Sequence, residues 1–403
     1  MYMNKSRMNV AVKADALTPV LRHAAVGGCA LVGALILLSA HAKSDPLPAP
    51  AMSASLAANS DPYGVDLDWA GKWSVGGAVS GLGYYQDNPN NGVHSQLDLD
   101  NGMAWIEKTD GWLQFYVQAG TYSLPSLGGT YIKSSVAPAL LFGNVPEAYA
   151  KLAVDKFSLS AGKLPTLIGD EYTFTFENMN IQRGLLWNQE PAISDGVQLN
   201  YADGPLSLAI SVNDGFYSQS LNWISGMASY GFNGGADTLA VIAAGNVGHN
   251  PNTLPFATPV INNGSIYNLI FTHASGPWTI SPYLQYISAP SDPLHGVAKG
   301  ADSFGGAVLV NYAFDDHFKL AARAEYVGST GNAASGSANM LIAGPGSKAW
   351  SITLTPTYQY KVFFARLEGS YVSASDTTPG FAYGPAFDRD SQTSVFFETG
   401  VNF

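Results

Sequence analysis

The chain has 403 residues, of which 46% are hydrophobic and only 12% charged, with a formal net charge of −11. That charged fraction is about half of what soluble domains carry, and so acidic a balance excludes a nucleic-acid ligand, which needs a basic footprint. Mean hydropathy close to zero excludes a bundle of transmembrane helices, so any membrane signal must lie in alternating patterns.

The first segment reads as a targeting signal. Lys5, Arg7, Lys13 and Arg22 form a basic lead, residues 24–40 carry no charge, and Ala40 and Ala42 sit where an A-x-A cleavage site needs small residues. A membrane anchor is the competing reading, because the uncharged run is at the lower limit for spanning. Its weak hydrophobicity and the Ala/Pro/Ser-rich stretch that follows favour cleavage. "VGGC" resembles a lipoprotein box, but the apolar run follows Cys29 instead of preceding it. Cleavage after residue 42 removes the single cysteine, so the mature chain has no thiolate metal site or internal disulfide. It also leaves 15 basic against 29 acidic residues, a net of −14. Residues 43–68 read as a flexible leader, and 69–403 as one domain.

From residue 69 onward, alternating runs are separated by turns. In "PLSLAISVNDG" Leu206, Leu208, Ile210 and Val212 share one face while Ser207, Ala209, Ser211 and Asn213 share the other. "AVLVNYAF", "FKLAARAEYV" and "VFFARLEGSYV" repeat the pattern. Such period-two segments are strands with two chemically different faces. Seven short connections alternate with eight long ones, which predicts an all-β transmembrane antiparallel barrel of about sixteen strands, with short periplasmic turns and long external loops. Fourteen strands is the alternative, because the run near 97–107 alternates weakly. Only helices and closed barrels pair every backbone group within lipid. The apolar parity is therefore assigned to lipid and the polar parity to the lumen. Trp73, Trp112, Trp278, Tyr312, Tyr326, Trp350, Tyr358 and Tyr371 lie near strand ends as interfacial girdles. Pro282 and Pro356 fit poorly inside strands of a barrel without edges, and imply bulges or shifted boundaries.

Two stretches, "FSLSAGKLPTLIGDEYTF" and "RGLLWNQEPAISDGVQLNYADGPLSLAISVNDGFY", carry a more specific pattern. A strand ending in Gly162-Lys163 leads to Gly169, Asp170 and Glu171, then to a Gly196-Val197-Gln198 strand and an Asp203-Gly204 turn. Over residues 146–217 this resembles the OmpL-like β-barrel porins of bacteria. The resemblance implies a Gram-negative outer membrane, lipid around the barrel, and passive transport with no cofactor. Where the family has a basic residue before the returning strand, this chain has Asp195.

The loop 164–195 is long enough to be functional. It carries Asp170, Glu171, Glu177, Glu190 and Asp195 against one base, Arg183. As in trimeric porins, it is expected to fold inward and narrow the pore, with a homotrimer as the implied assembly. Lys151, Lys319, Arg323 and Arg366, with Glu147, Glu325, Glu368 and Glu398, fall on the inward parity. Acids on the loop facing bases on the wall would set a transverse field that filters ions. The bland reading of each residue is that it merely pairs and solvates the interior.

The chain ends in "SVFFETGVNF". Val395, Phe397, Thr399, Val401 and Phe403 share one parity, and the other is small or polar apart from Phe396. This resembles the closing strand and label that the barrel-assembly machinery reads, carried by Phe397, Val401 and Phe403. An enzyme is not expected, since none of the mature histidines (His94, His249, His273, His295, His317) reads as lumen-facing beside a serine or at metal-ligand spacing. "GPGSK" at 344–348 lacks phosphate-loop spacing, and the leader is too short for the plug of an energised transporter. The function expected is diffusion of small hydrophilic solutes or ions through a water-filled lumen, with mild cation preference or tolerance of neutral sugars. The alternative is a narrow or closed barrel whose external loops serve adhesion or recognition.

Overall fold

The computed structural model describes residues 55–59, 61–68, 71–248 and 259–403. The expected signal peptide and half of the leader (43–54 and 60) lie outside them, as does His249. A short strand β1 (Tyr63–Asp66) precedes β2 (Lys72–Gln86), β3 (Ser95–Lys108), β4 (Leu113–Tyr122), β5 (Glu147–Val154), β6 (Phe157–Pro165), β7 (Ile193–Asp203), β8 (Leu206–Asn213) and β9 (Trp223–Phe232). The second half comprises β10 (Asp237–Asn246), β11 (Ser265–Ser275), β12 (Trp278–Ala289), β13 (Ala301–Ala313), β14 (Phe318–Ser329), β15 (Lys348–Tyr360), β16 (Phe363–Ser375) and β17 (Ser391–Asn402).

Each strand from β2 to β17 pairs antiparallel with its neighbours in sequence, and β17 closes on β2 with Val401 opposite Val79. The result is a closed sixteen-stranded barrel, which leaves no backbone edge toward lipid. Phe403 extends the seam, exchanging backbone hydrogen bonds with Gly77 at 2.7 and 2.8 Å. β1 lies outside the ring and pairs only with the start of β2.

The expected faces are realised. Leu208, Ile210 and Val212 point out and Ser211 and Asn213 in; Val395 and Phe397 point out and Glu398 in. Aromatics form two outer belts. Trp278–Tyr312 and Phe318–Tyr358, with ring centroids 4.5 and 4.8 Å apart, mark the short-turn end. Trp350–Tyr371 at 5.4 Å and Phe304–Tyr326 at 6.4 Å mark the long-loop end.

The two prolines need neither bulges nor new boundaries. Pro282 stays in register with Val308 on β13, while the β11–β12 ladder lapses for two residues beside it without slipping. Pro356 does the same, in register with Leu320 and beside a lapse toward β16. Each proline thus turns its missing N–H toward one interrupted rung.

A β-bulge between β2 and β3 explains the weak stretch near 97–107. Ser80 opposes Asn101 while Gly81 opposes Leu99, leaving Asp100 as the extra residue. The inward parity therefore switches, and Asp100 and Asn101 both point inward, fully buried.

Part of the expected leader is ordered, contrary to expectation. Besides β1, Ser55 donates to Asn311 Oδ1 at 3.1 Å, and Ala57 N donates to Gln359 Oε1 at 2.8 Å, with Leu56 buried between. This segment enters the barrel at its short-turn end, where the lumen wall offers hydrogen bonds to its backbone.

Candidate functional site: the inward segment and the lumen

Between β6 and β7 the chain folds inside the barrel. The strands run further than expected, so the inward segment is 166–192 and Asp195 lies on β7, opposite Lys163. The loop boundary of 164–195 is corrected accordingly, because the wall ladder continues through both ends. The segment has almost no regular structure; two 3-10 turns, Thr175–Glu177 and Trp187–Gln189, leave most of its backbone groups to seek partners elsewhere.

The barrel wall supplies them. Glu368 accepts from the amides of Ile181 and Gln182 (2.5 and 2.9 Å), and Glu325 from Leu185 N at 3.1 Å. Arg366 donates to the carbonyls of Asn178 and Thr175, both at 2.9 Å, and its guanidinium also pairs with Glu398. Arg323 donates to Glu171 Oε1 at 2.5 Å and Gln182 O at 2.8 Å, with Glu325 3.1 Å away. Thr175 Oγ1 donates to Asp100 at 2.6 Å, and Tyr283 OH to Glu190 at 2.9 Å. Gly184 passes so close to Glu171 and Glu325 that a Cβ there would stand 2.1 Å from a Glu325 oxygen. Charge-assisted bonds of this kind are among the stronger polar contacts.

The expected charge arrangement is thus corrected in one respect. Glu171 of the segment and Arg323 of the wall are in direct contact, not across a gap, while Glu177 and Glu190 are held by Phe174 N and Tyr283 OH. A pair at 2.5 Å neutralises itself and projects little field into a passage. Burial dominates their titration: it pushes the Asp170 carboxyl up to about 7. It pushes Glu190 up to about 8 despite the bond from Tyr283. Burial likewise raises Glu171 against the pull of Arg323, and lowers Arg183 to about 10. Arg183 is fully buried with no hydrogen bond to its guanidinium, which lies over the Trp187 ring at 5.8 Å. Glu177 is buried too, its carboxylate accepting from Phe174 N at 3.0 Å.

The interior is also less polar than the alternation suggested. Ile168, Met179, Leu185 and Leu186 of the segment pack with wall residues such as Ile242, Ile270, Leu309 and Val327. Phe174 and Phe176 stack near Trp105. Phe396, the one aromatic on the inward parity of the last strand, stacks on Tyr84 and contacts Ile181.

All these anchors lie on β11 to β17 and on β3. Across the lumen, the inward residues Lys151, Ser158, Gln198, Asn200 and Ser207 of β5–β8 stay partly exposed, while Ser160, Ser211, Asn213 and Ser225 are buried. Lys151, Ser158, Gln198 and Asn200 line a space of about 310 Å³ near the short-turn end. Above it a collar of Ser194, Gln198, Ser211, Asn213 and Ser225 faces Leu167 and Pro191 across about 10 Å³. Lys319 is half-buried on β14. Asp100, Thr175 and the strap at 55–57 are site residues that sequence reading missed. The only signal for Asp100 was the broken alternation in "LDLDNG". Among the described residues, no group of His, Cys, Asp and Glu is placed to hold a metal ion.

The family model described as "Putative beta-barrel porin-2, OmpL-like" matches residues 72–403, the whole of the ring. The chain belongs to that family. Family and barrel together place it in the outer membrane of a Gram-negative envelope. No curated protein sequence matches the chain. Among solved structures, outer-membrane expressed OmpT of Vibrio cholerae is similar at 13% identity and a TM-score of 0.56, covering 85% of this chain and 100% of its own. An anion-selective porin from Comamonas acidovorans matches at 13% identity and TM-score 0.56, covering 82% and 99%. The outer membrane channel DcaP of Acinetobacter baumannii matches at 13% and 0.54, covering 82% and 97%. At such identities these likenesses speak for the fold.

Proposed function

We propose that the barrel is a non-enzymatic porin that passes small hydrophilic solutes along the β5–β9 wall, beside the inward segment. The observation that carries this reading is the one-sided fastening. The barrel-wall side chains that hold the segment lie on β3 and β11–β17, with further bonds to Pro125 and Leu127 of the β4–β5 connection, and the side left open to water is lined by hydroxyls, amides and Lys151. With Glu171 paired to Arg323 and the other acids of the segment buried, selectivity comes from the width of the Ser/Asn/Gln collar more than from a field. Small hydrophilic solutes and ions at low conductance are the expected cargo, and the collar must widen to admit them.

Residues 1–42 act as the export signal in this reading, and Phe397, Val401 and Phe403 as the label for the assembly machinery. A trimer is the expected assembly, as for the in-vitro folded OmpT of Vibrio cholerae described in a trimer form. A second reading, a closed barrel with recognition loops, draws on the collar, which has room for about one water. Conductance of the folded protein across a planar bilayer separates the two. Steady single-channel steps are expected; a refolded barrel that never conducts leaves only the closed reading. Reversal potential in a salt gradient should be close to zero, and strong selectivity of either sign would show that the buried charges do reach the passage.

A further inference from the structure

At the long-loop end, above the inward segment, lies a second cavity of about 630 Å³. That falls within the range of small-molecule sites, and like them it is mostly apolar. Phe142, Trp187, Phe216, Ile342 and Tyr383 contribute walls from five separate connections. Its polar groups are few and mostly engaged. Asn188 donates to Leu127 O at 3.0 Å, and Gln189 to Ser303 and Met340 O at 2.9 and 2.8 Å. Two lining oxygens are buried without a partner: Asn339 Oδ1 and Glu190 Oε2. Asn339 Oδ1 is an acceptor, while Glu190, which keeps its proton at neutral pH and accepts from Tyr283 on Oε1, presents Oε2 as an O–H donor, so the cavity asks its occupant for a group that both donates and accepts. An apolar box with buried, unpaired polar groups discriminates strongly for a ligand that supplies the missing partner.

A cation is the wrong donor here. The Arg183 guanidinium already lies over the Trp187 ring, and it repels a second positive charge brought to the same wall. We propose that this vestibule is a binding site for a neutral, hydroxyl-bearing aromatic or alicyclic molecule, its ring between Trp187, Phe142 and Ile342 and its hydroxyl on Asn339 or Glu190. The site stands whether or not the barrel conducts, because it lies outside the collar and shares only Pro191 with it.

Calorimetric titration of the full chain in lipid nanodiscs tests it, with p-cresol as probe and empty nanodiscs as reference. Saturable one-to-one binding is expected. Toluene, which lacks the hydroxyl, should bind about two- to tenfold more weakly, the span of one hydrogen bond. Tyramine, which adds an ammonium, should also bind more weakly than p-cresol. Ile342→Trp fills the cavity and should abolish binding, while Asn339→Leu should weaken it by about the toluene factor. Heat-modifiable mobility on gels verifies that each variant is a folded barrel. The proposal is overturned by non-saturable uptake equal to that of empty nanodiscs. Undiminished binding in folded Ile342→Trp, or tyramine or toluene binding as tightly as p-cresol, overturns it as well.

Discussion

Two halves of one barrel do different work. On β11–β17 and β3 the inward face carries Arg323, Glu325, Arg366, Glu368, Glu398 and Asp100, and each meets a partner on the inward segment or beside it. On β5–β9 the inward face carries Ser158, Gln198, Asn200, Ser207 and Ser211, several of which bond to one another along the wall. Charged walls fix a chain because an unpaired buried charge costs several kcal/mol. Hydroxyl and amide walls hold water instead, since each group exchanges partners at little cost. The contrast teaches that the buried charges Arg323, Glu325, Arg366 and Glu368 serve as anchors, and the passage proposed above runs where charge is sparse.

The largest test is to remove an anchor. Arg323→Ala strands Glu171 and Glu325 without their cation, and removing one partner of a buried pair costs about 3–5 kcal/mol. Thermal unfolding in detergent should show that loss, and conductance should rise as the segment detaches. An unaltered melting curve and current would mean that the charged half anchors nothing. Gly184→Ala should give a smaller effect of the same kind. Its Cβ has no room beside Glu325, and overpacking costs about 1–3 kcal/mol; the measurement is protease access to 181–186 in the folded barrel.

A pH series sharpens the comparison further. Asp170 and Glu190 hold their protons up to about 7 and about 8 when docked, against about 4 when free. The docked segment binds more protons, so the stabilisation is fully present below the free carboxyl value and is lost as pH rises through 7 and 8. Intrinsic-rate-corrected hydrogen exchange of amides 181–186 should therefore be at least about tenfold more protected at pH 5 than at pH 8.5. Equal protection would remove titration from the account.

The smallest change in stability belongs to the watered wall. Asn200→Trp projects a ring into the 310 Å³ space and should leave stability within about 0.5 kcal/mol, while single-channel conductance falls by half or more. The same ring placed there without effect on current would move the passage away from β5–β9.

Much of the fold was legible because strands in a barrel expose one parity to lipid, and lipid tolerates no charge. "FKLAARAEYV" announces its own orientation residue by residue. The reading failed where that rule was locally broken. The bulge at Asp100 switched parity inside β3 and made a real strand look doubtful. The prolines looked like faults, yet each costs only one rung. Phe396 was visible as an exception, and its meaning came only with Ile181 and Tyr84 around it.

What the sequence by itself determined is the barrel: strand number, faces, the two aromatic belts, the closing strand, and the candidate segment with its charges. These follow from period two and from connection lengths, which are local. Only the tertiary structure decided that Glu171 touches Arg323, that Ser55–Ala57 enters the short-turn mouth, and that one wall carries the segment's side-chain anchors while part of the other stays exposed. Glu368 meets Gln182 across 186 positions and Arg366 meets Asn178 across 188. Such pairings depend on where a ring of sixteen strands closes, and no local pattern encodes that distance.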